Sequence, residues 1–306
     1  MRVGVVDVDS HNFPNLCLMK LSAFHKLRGD SVEFALPLLP YDRIYMARVF
    51  DDTYTHDDIT AYQCEDIIKG GTGYDLNNAL PYDIEHIYPD YSLYNITDTA
   101  YGFLTRGCPR HCPFCIVGDK EGTVSRKVAD LDEFWKGQKN IVLLDPNIVA
   151  CKEWKPLLQQ LIDSKAWVEF NQGIDIRLIT EEKAEMISRI KLRKIHMAWD
   201  NYPDEFCYSQ LKKFARYFPL KKKAAMVYVL TNFSTTHEQD LERVIRIRGL
   251  GYEPFVMVYN KPAAPVITKR LQAWCNNKWI FKKCENFEDY VPFLKKSKQN
   301  AKNSEQ

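Results

Sequence analysis

From residue 99 onward the chain repeats one kind of unit. Apolar, strand-like runs recur at AYGFLTR (100–106), NIVLLD (140–145), WVEFNQGIDIR (167–177), KIHMAWD (194–200), AMVYVLT (225–231) and PFVMVYN (254–260), with helix-period segments between them. Helix start signals stand where such units need them. Asp130 with Glu133 and Thr235 with Glu238 have capping-box spacing, and acidic residues crowd the first turns after Thr180 and Thr235, where the helix dipole favours them. Six β-α units in about 165 residues are too few to close an eightfold barrel and fit an open, six-stranded partial (β/α)6 TIM barrel.

The preceding stretch has a different rhythm. RVGVVDV (2–8) reads as a short buried strand, followed by a helix with apolar positions at Leu16, Met19, Ala23 and Leu27, ended by Arg28-Gly29-Asp30. VEFAL (32–36), DRIYMARVF (42–50) and EDIIKGG (65–71) read as further strands, so the opening stretch is a small Rossmann-like α/β unit. Residues 77–97, rich in Pro, Tyr and Asp and without a period, read as a linker. After 266 the pattern gives a helix, a strand-like piece from Lys278 to Phe281 and a disordered Lys/Asn/Ser tail. The expected division is a Rossmann-like domain over 1–92, the partial barrel over 93–265 and an extension over 266–306, within the α/β class.

Composition excludes several alternatives. A chain of 306 residues with 45% apolar and 27% charged content can bury a large core without disulfides. A net charge of +2 provides no global field toward nucleic acid or an acidic membrane. The local basic runs (Lys212, Lys213, Arg216, Lys221 to Lys223, and the tail from Lys295) read as solvated surface, not a nucleic-acid patch. Asp7 and Asp9 interrupt the first apolar run, which is therefore no signal peptide, and no stretch approaches the roughly 20 apolar residues of a membrane helix. The nine cysteines lack the paired pattern of a secreted scaffold, which places the chain in the cytoplasm with its thiols reduced.

The cysteines that carry chemistry lie in RGCPRHCPFCIVG (106–118). Cys108, Cys112 and Cys115 have the spacing Cys-x-x-x-Cys-x-x-Cys, with no fourth cysteine nearby. Structural zinc takes four closed ligands from two separated pairs; there is no second Cys-x-x-Cys, and His111 inside the loop is poorly placed to complete a tetrahedron. A disulfide would leave one thiol over. A cubane iron–sulfur cluster normally takes four thiolates, so three leave one iron open to a substrate or cofactor. The loop directly follows the first strand of the expected barrel, the end at which α/β folds bind ligands, and Phe114 would shield a cluster there.

Cys-x-x-x-Cys-x-aromatic-Cys after the first strand of a six-unit partial barrel resembles the radical S-adenosylmethionine (SAM) enzymes. The flanking "TRGCP" and "CPFCIVG" look like the subgroup with a leading cobalamin-binding or methylthiotransferase-type domain. The resemblance implies a [4Fe-4S] cluster on Cys108, Cys112 and Cys115 whose open iron binds SAM. It also implies reductive cleavage to a 5′-deoxyadenosyl radical that abstracts a substrate hydrogen, and a flavodoxin- or ferredoxin-type reductant.

By position it implies SAM contacts at Asp145 and Asn147 in the Asp-Pro-Asn turn after the second strand, where the family's commonest form has Gly-Gly-Glu. Arg177 matches the basic residue for the SAM carboxylate, Asp200 faces the ribose, and Asn232 and Asn260 end the fifth and sixth strands. Gln172 and Asp175 are placed to face either SAM or substrate. The plainer roles stand beside these: Asp145 capping a turn, and Arg177 pairing with Glu181 or Glu182. The fifth-strand Gly-x-Ile-x-Gly-x-x-Glu pattern is absent, with VLTNFSTTHEQDLE in its place. The substrate is unnamed: a nucleoside, a peptide or a small metabolite all fit.

Of the six remaining cysteines, Cys275 and Cys284 are close in sequence, too few for an auxiliary cluster; Cys17, Cys64, Cys151 and Cys207 read with them as small buried hydrophobes. Cys151 has a second reading, as a hydrogen-atom donor near the site. In the first domain, Asp9-Ser10-His11 resembles the cobalt-ligating Asp-x-His-x-x-Gly motif, with Pro14 at the final Gly, and Gly70-Gly71 stands where cobalamin domains admit the cofactor tail. The competing readings are a degenerate domain that shapes a substrate channel, with His11 a polar turn residue, and a cobalamin-dependent methyltransferase. Outside this class stands a non-catalytic iron–sulfur or zinc sensor. Neither a second cysteine triad nor a C-terminal RNA-binding module is found.

Overall fold

The computed structural model describes residues 1–11, 13–50, 57–217 and 225–291. The Lys221 to Lys223 run and the tail from Lys295 lie outside the described residues. Two compact units meet in the chain between Ile195 and His196. This division by compactness is a different partition from the rhythm-based one at 92 and 265.

The first unit opens with β1 (Arg2–Asp7), α1 (Leu16–Leu27), β2 (Ser31–Phe34), β3 (Arg43–Ala47) and β4 (Ile67–Gly70). The four strands are parallel in the order β2-β1-β3-β4. Val3, Val5, Ile44 and Met46 are buried because alternate residues of β1 and β3 share one face. Asn15 caps α1 by accepting from Leu18 N, and the helix closes at Arg28, where the sequence places its end. The winding direction changes between β1 and β3, so the Rossmann-like reading holds at the level of an α/β unit.

The stretch 77–97 is not a bare linker. It contains α2 (Tyr82–Glu85) and a 3-10 turn over Tyr91–Tyr94. Tyr91 and Leu93 are buried, and the Tyr91 hydroxyl donates to Phe134 O (2.7 Å) while accepting from Tyr101 N (3.0 Å). Isolated aromatic anchors hold this strap, and they leave no period to read.

The unit continues with β5 (Thr99–Gly102), β6 (Thr105–Arg106), α3 (Val117–Glu121), β7 (Arg126–Lys127), β8 (Asn140–Leu143), α4 (Trp154–Ser164), β9 (Trp167–Phe170) and α5 (Glu181–Arg189), and the boundary falls inside β10 (Leu192–Ala198). β6 and β7 form a small antiparallel ribbon. The run 100–106 is thus two strands, because the ladder with β8 ends at Gly102. The run 167–177 stops at Phe170, turns at Gly173 (φ 99°) and ends in a 3-10 turn over Ile176–Leu178. The Asp130–Glu133 capping box forms, around a 3-10 turn.

The second unit carries α6 (Glu205–Tyr217), β11 (Ala225–Thr231), α7 (His237–Gly249), β12 (Glu253–Val258), α8 (Val266–Asn276) and α9 (Lys278–Lys283). Two expectations are corrected here. Lys278–Phe281 is helical, started by Asn277, whose side chain accepts from Trp279 N and Ile280 N. The capping box of α7 is Thr236 with Gln239, because the Thr235 hydroxyl is taken by Asp240 (2.5 Å).

The large sheet has the order β5-β8-β9-β10-β11-β12. It is a parallel six-stranded sheet whose neighbours follow chain order, and no barrel closes among the described residues. No described helix is long and apolar enough to cross a membrane.

Candidate metal centre

The cysteine loop leaves the sheet just beyond β5, and Asp145 fixes its departure. Once the ladder ends at Gly102, Leu104 N and Thr105 N would be buried without acceptors. The Asp145 carboxylate takes both, at 3.1 and 2.5 Å, together with the Thr105 hydroxyl at 2.6 Å. Burial pushes the Asp145 carboxyl up to about 6, against the pull of the Thr105 and Leu104 donors. Both oxygens of this residue, a sequence candidate for SAM, are therefore engaged in holding the loop's entry.

The loop is closed at its base. Arg106 pairs with Glu121 (2.9 Å) and Glu85 (3.0 Å), Gly107 N donates to Glu121 (3.2 Å), and Cys108 N donates to Gly122 O (3.1 Å). Burial opposes both charges, yet Lys20 and Arg106 hold the Glu85 carboxyl below its ordinary range, and Glu85 and Glu121 hold the Arg106 guanidinium above its own. Gly107 has φ 85°, and a Cβ there would stand 2.2 Å from Val124 O, so only glycine fits. Lys120 on α3 reaches Leu76 O (3.2 Å) and Asn78 O (3.5 Å), tying the loop to the segment that leads into the strap.

Within the loop Cys115 N donates to Cys112 O (3.0 Å), a tight turn between two of the thiols. Cys108 and Cys112 are half-buried, Cys115 is exposed, and none of the three is in a disulfide. Phe114 is half-buried and His111 exposed. Among the described residues no three His, Cys, Asp or Glu side chains are gathered into a metal-holding group. By its chemistry the donor set fits iron: three soft sulfurs on one loop, with an amide donor directed at one of them.

That donor is Asn147, 2% exposed. Its Nδ2 lies 3.5 Å from Cys108 Sγ, and its Oδ1 accepts from Asp175 N at 3.4 Å. Asp175 accepts in turn from Arg110 Nε (2.5 Å), inside the cysteine loop, and from Arg177 Nε (2.7 Å). Asn147, Asp175 and Arg177 are thus joined to the loop in one bonded chain. Arg177 pairs with Asp175 (2.7 Å). Arg110 was missed in the sequence; its place between Cys108 and Cys112 was the available signal. Gln172 is exposed.

The remaining SAM candidates lie in the second unit. The Asp200 carboxylate accepts from Leu230 N (3.1 Å). Asn232 (φ 61°) donates to Tyr259 O (2.8 Å), and Asn260 also has a left-handed backbone (φ 44°). A residue the sequence did not reveal is Arg243, fully buried, bonded to Trp199 O (2.6 Å), Leu230 O (2.8 Å) and Asp240 (2.6 Å).

The cysteines outside the loop divide. Cys151, Cys207 and Cys275 are buried as expected of small hydrophobes, whereas Cys17 is exposed and Cys64 and Cys284 are half-buried. Burial first, and then the neighbouring Glu153 carboxylate, push the Cys151 thiol up to about 11.

At the carboxyl ends of β1, β3 and β4 the residues that resemble a cofactor site meet the chain's own backbone. Asp9, 2% exposed, accepts from Val49 N (2.8 Å) and Phe50 N (2.7 Å). A Cβ on Gly71 would stand 2.3 Å from Arg48 O, so the close approach this glycine allows is to the chain's own backbone. His11 is exposed with φ 47°, its ring 6.1 Å from that of Phe50.

Fold and site together define an α/β protein with an open parallel sheet whose first strand delivers a loop of three cysteines that form no disulfide. No protein-family model matches the chain. Over 191 residues it is 26% identical to a CDK5RAP1-like protein of Oryza sativa subsp. japonica, a name of the radical-SAM methylthiotransferase family. The match covers 55% of this chain and 32% of that protein, so the chain spans about a third of the relative's length.

Proposed function

We propose that the chain is a radical-SAM enzyme. The observation that carries the reading is the Cys108–Cys112–Cys115 loop, anchored at its base and presented at the carboxyl end of β5, with an amide donor on its first sulfur. The rice relative supports the same superfamily. Cys108, Cys112 and Cys115 are the ligands of a [4Fe-4S] cluster in this reading, and Phe114 covers it. When bound, the cluster supplies the electron that cleaves SAM to methionine and a 5′-deoxyadenosyl radical, which takes hydrogen from the substrate.

The chain's own residues position and shield. Asp145 and Asp175 hold the loop. Arg110 and Arg177 both donate to Asp175, which places the two guanidinium groups beside the cysteine loop, and Arg177 is the residue for the carboxylate of SAM in this reading. Asp200 is the candidate for the ribose in this reading, and Asn232 a further candidate for a SAM contact. A flavodoxin- or ferredoxin-like protein supplies the electron.

The test is anaerobic reconstitution with iron and sulfide, then dithionite and SAM, with Cys112→Ala alongside. Deoxyadenosine from wild type alone is the expected result. A well-formed cluster that never yields deoxyadenosine favours a sensor or binding protein, and stoichiometric zinc in the native protein favours a zinc site.

A further inference from the structure

Three independent restraints act on Cys108. Gly107 before it is held in a left-handed conformation against Val124 O, its own N–H is bonded to Gly122 O, and its sulfur faces the Asn147 amide. The other two thiols are set by the turn in which Cys115 N bonds Cys112 O. Asn147 is buried, and its orientation is locked at its other end, where Oδ1 accepts from Asp175 N. With the oxygen engaged there, the amide must present N–H, not C=O, to the sulfur. Asp175 cannot turn away, because Arg110 and Arg177 hold both of its oxygens.

We infer that Asn147 is a positioning residue for Cys108: it donates an N–H···S hydrogen bond that presets this sulfur and tunes the reduction potential of the iron it holds. The inference rests on the reading of the loop as a cluster site, and it gives Asn147 a different task from the SAM contact suggested by its sequence position. A donor to a ligand sulfur withdraws charge from it and stabilises the more negative, reduced state, so its removal makes reduction harder. Asp175 acts one step further out, holding the amide through its backbone N–H and the loop through Arg110.

The experiment compares reconstituted wild type, Asn147→Leu and Asp175→Asn by iron content and by a redox titration followed by electron paramagnetic resonance. Asn147→Leu is expected to retain iron within twofold of wild type with a more negative midpoint. Asp175→Asn, which keeps the backbone N–H, is expected to hold the wild-type midpoint and lose iron faster to a chelator. A second measurement needs no variant to fold: in wild type labelled with 15N-asparagine, the reduced cluster is expected to show a 15N hyperfine coupling. A folded Asn147→Leu with the wild-type midpoint, or no 15N coupling in wild type, overturns the inference and leaves the cluster reading standing. Wild type that takes up no iron overturns both.

Discussion

The carboxyl ends of the two parallel sheets make opposite use of similar materials. At the small sheet, Asp9 and the glycines after β4 look equipped for a ligand, but they serve the fold: Asp9 satisfies Val49 and Phe50, and Gly71 lies against Arg48. At the first strand of the large sheet, Asp145, Asn147 and Asp175 are also spent on the chain, yet the loop they hold presents three thiols. A motif-like residue type is therefore a weak sign of function. What separates the regions is whether reactive groups remain once the buried donors and acceptors are paired.

The sharpest way to break this comparison is a matched pair of substitutions. Gly71→Ala and Gly107→Ala each place a Cβ within 2.3 Å of a carbonyl oxygen at positive φ. Overpacking and backbone strain together should cost each about 4 kcal/mol, read from the denaturant midpoint. Iron per folded chain should fall in Gly107→Ala alone. Equal iron loss in both would mean that the small sheet takes part in the centre.

Next in size is Asp9→Ala, which leaves two buried N–H groups without acceptors and should cost about 3 kcal/mol with iron uptake intact. A stable variant that loses iron would return Asp9 to the site.

Asp145 gives a pH signature. Its carboxyl holds a proton up to about 6 in the folded chain, against an ordinary value of 3.8. The stabilisation by that proton is complete below the ordinary value and is lost as pH rises through the folded one. Relative to Asp145→Asn, the wild type should therefore lose about 3 kcal/mol between pH 4 and 6, measured by urea unfolding across that range. A flat difference would mean the three donors, not burial, govern this carboxylate.

The smallest effect is expected at Gly29, which has φ 84° but nothing within 4 Å of a Cβ. Gly29→Ala should cost about 1 kcal/mol, the backbone term without the clash, which calibrates the larger glycine effects by thermal unfolding.

Legibility followed periodicity. β11 matches its sequence run end to end, and α1 lies where its apolar spacing and the Arg28-Gly29-Asp30 end place it, because both have regular faces. Lys278–Phe281 was misread because its Trp, Ile and Phe have strand propensity, while the Asn277 cap decides for helix. The strap over 82–94 escaped because single aromatic anchors leave no period.

The site divides along the same line. The cysteine triad, its place after the first strand and the absence of a fourth thiol nearby are properties of one short segment, and the sequence by itself determined them. That Asn147 meets the first sulfur and Asp175 N, that Asp175 meets Arg110, and that Asp145 supports the loop's entry are contacts across 28 to 65 residues of chain. Only the tertiary structure decided these, because hydrogen bonds are set by distance in space, and the turns after β8 and β9 brought these side chains together.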